Sequence, residues 1–230
     1  MIALPQAEYA TALYSLYTSA YKPNPSGPGN FMSLVLQTVA GLTQKYPATN
    51  KPTGDDIAST SVTSPAGTTA ANLQTFLNGS GTPSTNVIML GETHGNAADT
   101  ARGNAAIAAI SAAAPALSVN MVVFERGMSG TYAAPTAAGV NVVREENLTQ
   151  PNANPNFWQG LSVAQRSIAV AGYLAACVAA GAQNTKNSIL LLFGANHNDI
   201  LSAFEQAVRQ SGSYYVLKQA RHYNFVQSNA

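Results

Sequence analysis

The residues able to do chemistry in this chain stand in two short turns of one design. VIMLGETHGN, residues 87–96, runs apolar and breaks on a glycine, with Glu92 and His94 following. ILLLFGANHND, ending at Asp199, repeats the plan with Gly194 and His197. Between them, NMVVFERG places Glu125 straight after another apolar run. Two imidazoles and two carboxylates at strand ends are material for activating water. In one mechanism His94 and His197, helped by Glu92 or Glu125, hold a divalent metal such as Zn, Mn or Co, with one position left for water. In the other, one histidine oriented by a glutamate is the general base, while the second histidine and Arg166 stabilise an oxyanion. Both end in hydrolysis of an acyl bond without a covalent intermediate. No Ser or Cys stands in a recognisable nucleophile elbow, which fits either route.

The charge map singles out the same residues. Only 9% of the 230 residues are charged, against roughly 25% in typical globular domains. No charged side chain occurs between Asp56 and Glu92, or between Arg102 and Glu125. Charges reappear where the apolar runs end. Arg166 is the one charged residue between Glu146 and Lys186, in an otherwise apolar helical stretch. An arginine there must snorkel to solvent or pair with a carboxylate, and Glu92 and Glu125 are candidate partners. A net charge of +1 without any Lys/Arg cluster argues against capture of nucleic acid. The single cysteine, Cys177, excludes an intrachain disulfide and reads as a buried thiol.

The elements that must position these residues alternate from residue 86 onward. VIML is a strand, and ADTARGNAAIAAISAAA is an Ala-rich helix that Pro115 ends. NMVVF is a strand, and NVVREEN is a short strand or edge segment with Glu145 and Glu146 in solvent. Then follow the helix SVAQRSIAVAGYLAACVAAGA, the strand SILLLF, the helix NDILSAFEQAVRQS and a final strand YYVLKQ. Continuous apolar strands are those covered on both faces. The expected fold class is therefore α/β, a Rossmann-like three-layer sheet, mostly parallel, with an N-terminal helical extension. Ligands of such sheets bind beyond the carboxyl ends of the strands, where Glu92, His94, Glu125 and His197 would meet.

Residues 1–69 form the extension: amphipathic helices over 6–21 and 31–46, then a Pro/Ser/Thr-rich linker over 47–69. Residues 70–230 form the α/β domain, entered through a short helix around AANLQTFLN. The tyrosines of the first helix, Tyr9, Tyr14, Tyr17 and Tyr21, read as packing or as a surface that docks a protein partner. His222 in RHYNF reads as decoration of the C-terminal edge. The most apolar helix is shorter than the about 20 strongly apolar residues of a membrane span, so it reads as a buried helix. The N-terminus lacks the pattern of a secretory peptide. The expected location is the cytoplasm, or export by a leaderless route, as for a bacterial effector or toxin.

GETHG, VVFERG, QRSIAVAGYLAA and LLLFGANHND together resemble the superfamily of TIKI/TraB proteases, erythromycin esterases and ChaN-like haem-binding proteins. The resemblance covers roughly residues 86–217. It implies a site made of Glu92, His94, Glu125, Arg166 and His197, with His94, His197, Glu92 and Glu125 as the metal set in the protease branch. It implies a hydrolase acting on an ester or amide bond of a small molecule or peptide. The ChaN-like branch implies the alternative, a haem- or ligand-binding protein without catalysis. The bland reading of the same residues is two satisfied structural histidines, a helix-capping Glu92 and an exposed Glu125–Arg126 pair.

Overall fold

The most apolar strand-forming runs in this chain end at a glycine or a charge, and the structure follows those signals. A computed structural model describes residues 3–20, 28–46, 61–63, 85–117, 119–128, 131–133, 135, 139–180, 187–197, 199–210 and 220–226. The described chain divides into two compact units. One holds residues 57–144, 184–198 and 218–230, and the other holds residues 1–56, 145–183 and 199–217.

The first unit is built on a six-stranded sheet, β1 (Ser61–Thr63), β2 (Thr85–Glu92), β3 (Val119–Phe124), β4 (Asn141–Arg144), β5 (Asn187–Gly194) and β6 (Ala220–Val226). The strand order is β1-β6-β2-β5-β3-β4, and every neighbouring pair is parallel. The α/β class with a parallel sheet is therefore found. Val87, Met89 and Leu90, then Met121 to Phe124, then Ile189 to Phe193 are all buried. Successive residues of a strand point to opposite faces, so unbroken burial means that both faces of these strands are covered. Fully burying one such side chain is worth roughly 1.5–3 kcal/mol.

Helix α3 (Ala97–Leu117) connects β2 to β3 and packs against both. Asn96 starts it, its side-chain oxygen accepting from the N–H groups of Ala98 and Asp99 at 2.9 and 3.3 Å. Capping is thus done by Asn96 rather than by Glu92. The helix does not stop at Pro115 but continues to Leu117.

The helical unit contains α1 (Gln6–Ala20), α2 (Pro28–Lys45), the one-turn α4 (Glu145–Thr149), α5 (Val163–Ala180) and α6 (Ile200–Gln210). Ser162 and Gln165 open α5 reciprocally: the Gln165 N–H donates to Ser162 Oγ at 3.2 Å, and the Ser162 N–H donates to Gln165 Oε1 at 2.9 Å. That is a capping box. By length and composition α5 could cross a membrane, but 83% of it is buried inside the protein. Its small residues let neighbours come close. A Cβ on Gly172 would lie 2.7 Å from the Tyr9 hydroxyl and closer still to Val35 of α2. Tyr9 meets Tyr173 edge-on at 5.5 Å and donates its hydroxyl to the Ala169 carbonyl at 2.7 Å. Tyr14 and Tyr17 pack edge-on against Phe157 at 5.1 and 4.8 Å. Tyr9, Tyr14 and Tyr17 are thus packing residues, and Tyr21 lies outside the described residues.

Two expectations change at the sheet edges. Residues 61–63, expected within an irregular linker, form β1 and pair with β6. The last strand is Ala220–Val226, and the expected strand over 214–219 lies outside the described residues. β6 is an inner strand between β1 and β2, with His222 in register with Ser61 and Val87, so RHYNF is no edge segment. The expected helix at 70–78 also lies outside the described residues.

Candidate functional site

Because β5 inserts between β2 and β3, the carboxyl ends of those strands adjoin. Glu92 is in register with Gly194, and Phe124 with Leu192. The Glu125 N–H extends the ladder by one bond to the Leu192 carbonyl at 2.9 Å. Strand order alone thus brings residues 92, 125 and 194 to one edge of the sheet. His94 follows Glu92 in a tight turn that closes on Gly95, whose φ of 79° suits a residue without a Cβ. His197 ends the short 3-10 turn Ala195–His197 after β5. Four of the five residues singled out from the sequence, Glu92, His94, Glu125 and His197, therefore lie together in one unit.

Glu125 is the hub. Its carboxylate is buried and accepts the Gly194 N–H at 2.5 Å. It lies 3.1 Å from His197 Nε2 and 3.6 Å from His94 Nε2. Burial alone would raise its pKa, but the bond with His197, the Gly194 N–H and the charges of His197 and His94 outweigh that. The result is a carboxyl held below its ordinary 4.5. A buried Glu125 also rules out an exposed Glu125–Arg126 pair.

Glu92 is the second carboxylate, and it too is buried. His94 Nδ1 lies 2.8 Å from Glu92 Oε1, and the Tyr132 hydroxyl donates to Glu92 Oε2. An ionised Glu92 accepts from Nδ1–H of His94, which leaves Nε2 as the lone-pair nitrogen. That nitrogen faces Glu125 Oε2 across 3.6 Å. Two lone-pair atoms facing each other need a proton or a cation between them. A gap of that size is long for a hydrogen bond. Ligands on a tetrahedral ion with bonds of about 2.0–2.1 Å stand roughly 3.3–3.4 Å apart, close to this spacing. The buried Glu125 and His197 also offer ligand atoms within 4.8 Å of one another. The ring of His94 is 63% exposed, whereas His197 is buried.

The glycine of the second motif has a spatial reason. A Cβ on Gly194 would stand 3.0 Å from His94 Nε2 and 3.2 Å from Glu125 Oε2. Any larger residue would press into the space between the two side chains.

Arg166 pairs with a carboxylate, as its apolar surroundings require. Its guanidinium pairs with Glu145, Nη1 to Oε1 at 3.0 Å, within the helical unit. Glu145 was expected in solvent, yet its side chain is 0% exposed and that of Arg166 only 16%. A helix interior cannot hold a guanidinium without an anion, and α4 supplies one. Cys177 is buried, and burial pushes its thiol up to about 11, which suits a packing residue rather than a nucleophile.

Three polar residues at this strand edge or helix pair were missed in the sequence. Tyr132 grips Glu92, and the only signal is that it is the sole aromatic residue between Phe124 and Phe157. Asp99 accepts the Thr93 N–H at 2.8 Å and pins the first turn. Its place, five residues after His94, gave no cue. Glu145 carried a cue in retrospect, since a lone buried arginine implies a buried acid. No family profile, no curated protein and no solved structure matches this chain.

Proposed function

We propose that this protein is a hydrolase that cleaves an ester or amide bond, with water activated at His94, Glu125 and His197. The observation that carries the reading is the convergence of two imidazole Nε2 atoms on one buried carboxylate, 3.1 and 3.6 Å from it. Glu92 stands behind His94 as an orienting carboxylate, the arrangement that fixes a histidine's tautomer and raises its basicity. The exposed ring of His94 would meet the substrate, and the buried His197 would hold Glu125. A divalent ion bound by His94, Glu125 and His197 would supply Lewis acidity. The resemblance of both glycine-x-x-histidine turns to the TIKI/TraB and erythromycin esterase group supports the same chemistry. Arg166 enters this reading as a residue that secures Glu145.

The test is hydrolysis of a panel of p-nitrophenyl esters and peptide p-nitroanilides by chelator-treated protein, with and without added Zn, Mn or Co. Turnover that disappears in both His94→Ala and Glu125→Gln is the expected result. Turnover that survives both substitutions would place the activity elsewhere. The exposure of His94 favours a second reading, a haem- or ligand-binding protein. A Soret band on haem titration that vanishes in His94→Ala, without turnover on any substrate, would establish it in place of the first.

A further inference from the structure

We infer that Tyr132 is a positioning residue: it holds Glu92 so that His94 keeps its hydrogen on Nδ1 and presents a bare Nε2 toward Glu125. The inference rests on the reading that His94 Nε2 is a working atom of the site. Two observations carry it.

First, the Tyr132 hydroxyl donates to Glu92 Oε2, while Glu92 Oε1 faces His94 Nδ1 at 2.8 Å. One carboxylate is thus clamped at both oxygens, by a phenol on one side and an imidazole on the other. Glu92 is buried. Without the phenol its second oxygen would lack this donor, and the carboxylate would turn to regain one. Turning would break the line with His94.

Second, the phenol is built in rather than laid on. Tyr132 is itself buried and stacks on Phe124, the last residue of β3, with ring centres 6.2 Å apart and planes at 22°. Helix α3 makes room for it at Gly103. A Cβ there would fall 2.9 Å from Tyr132 Cζ, closer still to Cε1, and 3.1 Å from Leu192 Cδ2. Every other residue type would push the ring away from Glu92.

The test reads the tautomer and not the turnover. Chelator-treated, full-length chain labelled with 15N is studied by long-range 1H–15N spectra of the imidazoles at about pH 8, where an unperturbed histidine is neutral. The chain has only three histidines, so His→Gln variants assign them. The wild type is expected to show His94 with hydrogen on Nδ1. In Tyr132→Phe the Nε2–H form should become the major species for His94, while the pattern of His197 stays as it was. Gly103→Ala, which touches neither Glu92 nor His94, should produce the same change by displacing the ring, and it serves if Tyr132→Phe does not fold. A folded Tyr132→Phe or Gly103→Ala protein whose His94 remains wholly Nδ1–H overturns the inference. Because no substrate enters the measurement, a protein inactive in every hydrolase assay would sink the functional reading and leave this result standing.

Discussion

Glu125 and His197, 72 residues apart in the chain, meet at 3.1 Å with both side chains buried. The imidazole is one of the groups that holds the Glu125 carboxylate at that depth, beside the Gly194 N–H. Replacing His197 with Ala should therefore cost about 1–3 kcal/mol, the range for leaving a buried polar group short of a hydrogen-bond partner. Chemical denaturation checks it. A cost below about 1 kcal/mol would mean that water replaces the imidazole freely.

The acid limb of stability should come partly from Glu125. Its carboxyl is held below the ordinary 4.5 in the folded protein. A depressed pKa gives stability that is present above the unfolded value and lost as pH falls through the folded one. Unfolding free energy should decline as pH drops below 4.5, and Glu125→Gln should flatten that decline. Parallel acid limbs in wild type and variant would show that other carboxyls are responsible.

At Gly194 the smallest change should matter most. Gly194→Ala adds a Cβ about as close to His94 Nε2 as 3.0 Å, so the exposed His94 ring must swing away from Glu125. We expect at least a tenfold loss in kcat/KM on any substrate found, about 1.4 kcal/mol, with the fold retained. Circular dichroism beside turnover separates the two effects.

The pair between Arg166 and Glu145 should govern stability. Arg166→Met removes the cation beside a fully buried carboxylate and should destabilise by about 3–5 kcal/mol. Arg166→Met combined with Glu145→Leu should recover most of that, because a buried ion pair exchanged for apolar residues is often near neutral. A double variant no better than the single one would show that other partners of this pair dominate.

If His94, Glu125 and His197 take up a divalent ion, adding it should stabilise the fold. An ion at a hundred times its dissociation constant contributes about 2.7 kcal/mol, or roughly 5–10 °C in Tm for a chain of this size. The shift should vanish in the His94→Ala, His197→Ala double variant. An unchanged Tm with Zn, Mn and Co alike would favour the metal-free general base.

Much of this arrangement is local, and so was legible in the sequence. Apolar runs broken by glycine or charge mark β2, β3 and β5, and the placement of Glu92, Glu125 and His197 after them follows from their own neighbourhoods. Unbroken apolar strands also point to a parallel sheet covered on both faces. Those signals lie within a dozen residues. Tertiary structure alone decided which groups touch. The insertion of β5 between β2 and β3 brings Gly194 and His197 to Glu125, and the loop after β3 returns Tyr132 to Glu92 across 40 positions. The same holds for Arg166, which meets Glu145 from 21 residues away, and for β1, whose three residues form a strand only because β6 offers an edge. Side-chain pairing depends on strand order and on where buried charge can be neutralised, and neither is written in any single stretch of chain.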